Sequence, residues 1–314
     1  MRKSRLYNRL MRFLAPARET VLAEIFEQPI FAGVAEFRDL LIDRQWPAVE
    51  DLDDRLQPMV HCRTGKPLSL RAQETLTGNE HFELRIHRQG VIPTRSNNWH
   101  DLLNALAWKK FPAIKSALNA RQAETVARIG AERRTRAQDA MTQFDEAGAV
   151  VILRDRRLLA LWDAHDWTGL FLEQREAWSD GRISLTIFGH ALLEHALQPQ
   201  ILLVAKALVF LSDAVPAPEE KVIDDRVAAA IVEQGCLVDP QQLRPLPLSG
   251  IPGWHRAVQD RRFYAETECF RPLRAGRVYP SPLPLRDYLR PVDEPRDERD
   301  ARADRVARIS GDQA

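Results

Sequence analysis

The sequence predicts an α+β fold, mainly helical, in which packed helices cover a small β-sheet. Three observations predict it. Apolar residues recur at helical spacing behind recognisable caps, most clearly after Asn98 and Thr135. Short runs at about 82–86, 149–153 and 183–188 show the alternation or the continuous apolar character of strands. The order of strand, helices, then strand suits helices packed on one small sheet.

A chain of 314 residues can bury a substantial core. Its 45% apolar and 28% charged residues are an ordinary globular balance, so composition alone excludes neither an enzyme nor a binding protein. A net charge of +1 gives no overall pull towards nucleic acid or anionic lipid. The basic residues are interleaved with acids and form no stripe, so no nucleic-acid partner is expected. No apolar run reaches the roughly 20 residues that span a bilayer, and no transmembrane segment is expected. Cys62, Cys236 and Cys269 are odd in number and lack CxxC spacing. That argues against a disulfide framework or a finger-type zinc site, and for a reducing, cytoplasmic setting.

Three segments follow from composition: a basic extension over 1–15, one globular domain over 16–276, and a Pro-, Arg- and Asp-rich tail over 277–314. Residues 1–14 carry Arg2, Lys3, Arg5, Arg9 and Arg12 among scattered hydrophobes, without the apolar core of a signal peptide. They offer a membrane surface or a partner one short amphipathic turn. Such a turn binds weakly, and a frayed extension is the simpler reading. The tail has almost no aliphatic pattern, and disorder is expected after about Leu289.

Within the domain, Val21, Leu22, Ile25 and Phe26 share one helical face, and Phe37, Leu40 and Leu41 share another. Trp46-Pro47 turns into a short acidic helix ending near Asp54. Gly65-Lys66 is not a phosphate-binding loop, because Val60 stands where the first glycine belongs and Pro67 where Ser or Thr belongs. His81-Phe-Glu-Leu-Arg-Ile-His87 alternates as a half-buried strand, with its histidines on the polar face.

Residues 97–119 then hold the densest set of chemically capable side chains. Asn98 is a helix N-cap, and Asp101 meets the free N–H groups of the first turn. At about 100° per residue, Trp99, Leu102, Leu103, Leu106 and Ala107 form the core arc, and His100, Asp101, Asn104 and Trp108 the arc beside it. Pro112 ends that helix at Phe111 and suits the first turn of another, carrying Ile114, Leu118 and Asn119. The helix dipole should hold His100 as neutral imidazole, the form that accepts a proton or ligates a metal.

Thr135 and Gln138 form a capping box for a helix with Ala137, Met141 and Phe144 on its buried side. Arg136, Asp139, Gln143 and Glu146 line another face, and Gly148 is a plausible end before a buried strand at Ala149–Leu153. Residues 158–178 carry Trp162, Trp167, Leu170, Phe171 and Trp178 at helical spacing, read as core. Gly189-His190 opens a helix in which His190 and Glu194 are neighbours one turn apart, echoing His100 and Asn104. Residues 201–211 are strongly apolar, and Asp224 or Asp225 is a cap for a helix running to Gln234. From Asp239 to Trp254 the prolines and glycines read as a tightly turning loop.

Several of these blocks together resemble the family of domain of unknown function 3025 (DUF3025). They are Asn98-Trp-His-Asp-Leu-Leu-Asn-Ala-Leu-Ala-Trp108, Phe111-Pro112, Leu118-Asn119, Thr135-Arg136 with Asp139, and Phe144-Asp-Glu146. Phe188-Gly-His-Ala-Leu-Leu-Glu194, Gly250-Ile-Pro-Gly-Trp254, Phe263-Tyr264 and Phe270-Arg-Pro272 complete the set, over roughly 60–275. The resemblance implies a bacterial cytoplasmic protein of one domain and supplies no activity.

Two functions from different classes fit the residues. The first is a binding or accessory protein whose polar blocks form a pocket with an internal hydrogen-bond network. The second is a metal-assisted, phosphohydrolase-like enzyme using a divalent transition metal. Its ligands would come from His100, Asp101, Asp139 and His190, with Asp145, Glu146 and Glu194 as further carboxylates. The His100-Asp101 dipeptide is similar to that of HD-type phosphohydrolases, in which His81 or His87 and Asp139 would supply the remaining ligands. A metal-free enzyme would instead use a His–carboxylate pair such as His190 and Glu194 for acid–base work. In every case the site is expected where the helices opened by His100 and His190 converge, with Asp101, Asn104, Asp139 and Glu194 around it.

Overall fold

The computed structural model describes residues 13–212, 219–233 and 235–285. The helices are α1 (Arg38–Ile42), α2 (Val49–Leu56), α3 (Phe82–Gln89), α4 (Trp99–Lys110), α5 (Pro112–Ile129), α6 (Arg136–Ala147), α7 (Arg156–Asp163), α8 (His190–Ala196), α9 (Glu220–Val232) and α10 (Arg261–Glu266). The strands are β1 (Ser69–Ala72), β2 (Val91–Thr94), β3 (Gly148–Leu153), β4 (Ile183–Ile187), β5 (Val204–Leu211), β6 (Leu243–Pro247) and β7 (Leu283–Pro284). Helix predominates, as the fold class expected. Among the described residues, no helix is long and apolar enough to cross a membrane.

The main sheet runs β4-β3-β5-β6, with β7 pairing the far end of β5. β3 lies parallel to β5 and antiparallel to β4. Its sequence Gly-Ala-Val-Val-Ile-Leu has no polar side chain, and every residue is buried, as a strand covered on both faces requires. Alternation sends Ala149, Val151 and Leu153 into one apolar cluster and Val150 and Ile152 into another. The first cluster receives α2, α4, α7 and α8; the second receives α5, α6 and α9.

Residues 82–86 are the first turns of α3, not a strand. Five residues of alternating polarity fit a helix nearly as well, and buried Arg85 and Ile86 mark the inner face. The decisive signal is Gly90, which ends the helix at φ 70° and sits where a Cβ would overlap the Pro67 carbonyl. The small sheet is completed instead by β5, from the apolar run at 201–211, and by β6, from the Pro-rich loop region. The helical spacing over 158–178 breaks after α7 at His165, whose φ is 56°, and resumes as a π turn at Gly169–Glu173.

At the ends, Phe13 packs on His195 with ring centroids 3.9 Å apart, and Gln198 donates to the Leu14 carbonyl. The rest of the basic extension, residues 1–12, lies outside the described residues. The segment beyond 276 is placed as far as Leu285: Leu283 and Pro284 pair with Phe210 and Leu211, and Leu285 is fully buried. The tail expected to be disordered after Leu289 lies outside the described residues.

Asp224 does cap a helix, but not the one expected. It sits inside α9, and its carboxylate accepts from the N–H groups of Ala113 and Ile114 at 2.9 and 2.8 Å, capping α5. Burial pushes this carboxyl up to about 6, with the two N–H donors pulling the other way. The folded state therefore binds a proton between the ordinary 3.8 and about 6 that the unfolded chain does not. This group's contribution to stability accordingly falls as pH rises through that window. Asp224→Ala is expected to cost about 2–4 kcal/mol in urea unfolding, because two buried donors lose their acceptor. Asp224→Asn should flatten that pH slope; a slope unchanged from wild type would contradict the assignment.

Candidate functional site

α4 is buried almost all round, so its polar residues must be satisfied inside the protein. Asn98 caps it, accepting from the Asp101 N–H at 3.0 Å. Asp101 is then clamped by Arg95, whose Nε and Nη2 donate at 3.0 and 2.7 Å while its backbone N–H donates at 2.7 Å. Behind the ring of His100, Asp101 Oδ1 lies 3.0 Å from Nδ1. Nε2 of His100 is thereby aimed away from Asp101 and lies 3.2 Å from Glu146 Oε2.

Glu146 stands in the last turn of α6, and two glycines bring His190 to it. Gly148 starts β3, and its carbonyl accepts from the N–H groups of both Phe188 and Gly189. A Cβ on Gly189 would overlap Gly148 N and the Ala147 backbone. The chain entering α8 thus lies directly on the end of α6, and His190, the first residue of α8, faces Glu146 with Nε2 at 3.7 Å from Oε2. The His100 and His190 rings meet edge-on, centroids 4.5 Å apart. One ligand atom from each of His100, Glu146 and His190 lies within 4.8 Å of the others.

The two histidines differ in charge. Burial opposes protonation of His100, but the hydrogen bonds to Asp101 and Glu146 outweigh it and push its pKa up to about 9. The neutral imidazole expected from the helix dipole is therefore not what this environment favours, since two carboxylates at contact outweigh a terminal dipole. His190 is buried, and desolvation pushes its pKa down to about 4. It is neutral at physiological pH, and its Nδ1 is sealed from solvent with no partner. Glu146 and Asp101 are also shifted: burial opposes their ionisation, yet His100 beside both holds them below the usual carboxylate range.

This cluster opens into a cavity of about 240 Å³ lined also by His81, Glu83, Asn104, Gln122, Arg134 and Asp145. Under it Lys115, only 4% exposed, donates to Asn104 Oδ1 at 2.8 Å and Asp145 Oδ1 at 2.7 Å and lies over the Trp108 ring. Glu83 is held by Asn119 Nδ2 at 2.6 Å and Gln122 Nε2 at 3.3 Å. Burial pushes its carboxyl up to about 7, against the Asn119 hydrogen bond.

Of the residues picked out from sequence, His81, His100, Asn104, Asp145, Glu146 and His190 line this cavity. Asp101 backs His100 but is engaged by Arg95 and lies outside the three-residue cluster. Asp139 is ion-paired to Arg134 at 3.0 Å on the exposed side of α6 and does not line the cavity. Glu194 also lies off the lining, on α8; burial raises its pKa, with His100 and Arg95 drawing it back. The HD-type set is not assembled, because Asp101 and Asp139 face arginines. Glu146, named among the further carboxylates, is the acid that stands between the two imidazoles. Glu146 shares the helix face of Asp139 read from sequence but stands two turns further on, in the last turn of α6, where α4 and α8 meet it. Glu83 and Lys115 were not singled out; the misassigned strand hid the first, and an apolar helix start hid the second.

The glycine contact gives a direct test. Gly189→Ala must push α8 off α6, so it is expected to cost about 1–3 kcal/mol in thermal unfolding, as overpacking does. The imidazole NMR signals of His100 and His190 should shift together. Unchanged stability and unchanged ring signals would show that the close approach does not set the pair.

No curated protein and no solved structure matches the chain. A family model does, over residues 69–274, a span that contains α4, α6, α8 and every residue of the His100–Glu146–His190 cluster. The chain belongs to the family described as Protein of unknown function, DUF3025.

Proposed function

We propose that the cavity binds a divalent transition metal through His100, Glu146 and His190, and that its chemistry is metal-assisted hydrolysis. The observation that carries this reading is the convergence of three ligand atoms within 4.8 Å from three separate helices. Two imidazoles and one carboxylate suit zinc, manganese or iron and leave positions open for water. Asp101 behind His100 fixes the ring and its tautomer, the usual role of a carboxylate behind a ligating histidine. Nε2 of buried His190 lies 3.7 Å from Glu146 Oε2, beyond a hydrogen bond, which leaves its lone pair for an ion between them. A bound metal would supply an activated water at neutral pH. Glu83, in the same cavity with a pKa near 7, is the acid–base residue of this proposal. The free thiols Cys62, Cys236 and Cys269 suit the cytoplasmic setting.

A second reading is a binding or accessory protein whose cluster is an internal network. His100 favours it: as an imidazolium it already bridges Asp101 and Glu146 without any metal.

Elemental analysis of protein purified without a metal-affinity tag separates the two. The metal reading expects near-stoichiometric transition metal, lost in His190→Ala with little loss of stability. A blank in wild type, with His100→Ala costing several kcal/mol (about 3, as for a broken buried ion pair), would establish the network reading. For the reaction, Glu83→Gln should keep the metal and lower turnover of a nitrophenyl phosphoester by about 10²-fold or more. Equal turnover would remove Glu83 from the chemistry.

A further inference from the structure

A second, larger cavity of about 560 Å³ lies away from the His100 cluster, against the β5–β6 end of the main sheet. Its floor is one face of that sheet: Val204 and Lys206 from β5, with Leu243 and Pro245 from β6, where Lys206 pairs with Pro245 across the ladder. Its wall is the segment 268–279, which brings Arg271, Arg274 and Arg277 to the same space. Four cations thus line the cavity against one carboxylate, Glu268.

The wall is tied to the rest of the chain by several hydrogen bonds. His165 Nδ1 and Trp167 Nε1 both donate to the Arg271 carbonyl, at 3.0 and 2.9 Å, and His165 Nε2 lies 2.9 Å from the Tyr279 hydroxyl. Arg244, 1% exposed, is paired with Asp163 at 2.6 Å, donates to the Pro280 carbonyl at 2.9 Å and lies 5.1 Å from the Tyr279 ring. Arg277 lies 4.5 Å from that ring. The cavity is therefore shaped before anything enters it.

Lys206 is the informative residue. It is half-buried, and among the described residues its ammonium makes no hydrogen bond or ion pair. Desolvation pulls its pKa down, and Arg277 adds to the effect. A half-buried cation on a sheet face without a counter-charge, next to further cations, adds nothing to the stability of the fold.

We propose that this cavity is a binding site for a small organic polyanion, of phosphate-ester or polycarboxylate type, with Lys206 at its floor and Arg271, Arg274 and Arg277 along its wall. Arginine forks match the oxygens of phosphate or carboxylate groups in pairs, and the lysine ammonium supplies a point charge beneath them. The volume suits a metabolite-sized molecule rather than a lone ion. The apolar floor and the Trp167 and Tyr279 surfaces suit the organic part of such a molecule. This site does not depend on the metal reading of the first cavity.

Isothermal titration of the full chain with inorganic pyrophosphate, and separately with citrate, tests it. At least one should bind with a sub-millimolar Kd and weaken as salt rises. Lys206→Met should weaken that binding about tenfold or more, as loss of a charged hydrogen bond does. Arg274→Glu, on the exposed wall where folding is not at stake, should weaken it as well. His190→Ala should bind as wild type does, which separates this cavity from the His100 cluster. A preference for pyrophosphate or for citrate identifies the anion chemistry. Binding of neither at ~10 mM, or equal binding by wild type, Lys206→Met and Arg274→Glu, would overturn the proposal.

Discussion

Burying the helix pair α4–α5 imposes one demand on the rest of the molecule: every polar group it carries inward needs a partner inside. Lys115 meets Asn104 and Asp145, Asp101 meets Arg95, and the open N-terminus of α5 meets Asp224. Asn119 bonds Glu83 and lies 3.0 Å from His61, which is fully buried. These partners come from β2's exit, α3, α6 and α9, so satisfying them fixes how those elements sit on α4 and α5. An apolar pair of the same shape would tolerate sliding. A buried lysine between two named oxygens does not, because losing either oxygen leaves a desolvated charge.

That satisfaction is incomplete at the Trp108 indole N–H and at the candidate site. His100 is over-provided, with a carboxylate on each side, while His190 one ring away keeps a nitrogen with no partner. The same residue type therefore takes opposite charge states 4.5 Å apart, set by environment alone. The contact depends on backbone as much as on side chains. Gly148 and Gly189 let the end of α6 and the start of α8 touch, and any Cβ at 189 would separate them.

Much of the fold was legible in local chemistry. The Asn98 cap, the Pro112 restart and the Thr135–Gln138 capping box are local rules, and each appears in the structure as read. What failed was whatever depended on neighbours distant in sequence. Alternation over 82–86 could not distinguish α3 from a strand, and Asp224 could not be assigned to α5 from its position in α9. The helix dipole alone does not set the charge of His100, because it is a local term and Glu146 arrives from 46 residues away. The convergence of His100 and His190 was readable from two helix starts of like pattern, whereas the choice of Glu146 over Asp139 turned on which end of α6 meets α4 and α8.

The two cavities also explain why composition said so little about ligands. A net charge of +1 gives the molecule no field to steer partners from a distance. In the first cavity Glu83, Asp145 and Glu146 are met by Arg134, Lys115 and His100, so acids and bases are matched there, whereas in the other Lys206, Arg271, Arg274 and Arg277 face Glu268 alone. Averaging over the chain hides this second set. Within a Debye length, about 8 Å at physiological salt, it is not cancelled. That local imbalance arises from which residues the sheet and its neighbouring loop gather, and so could not be seen in any count of charges.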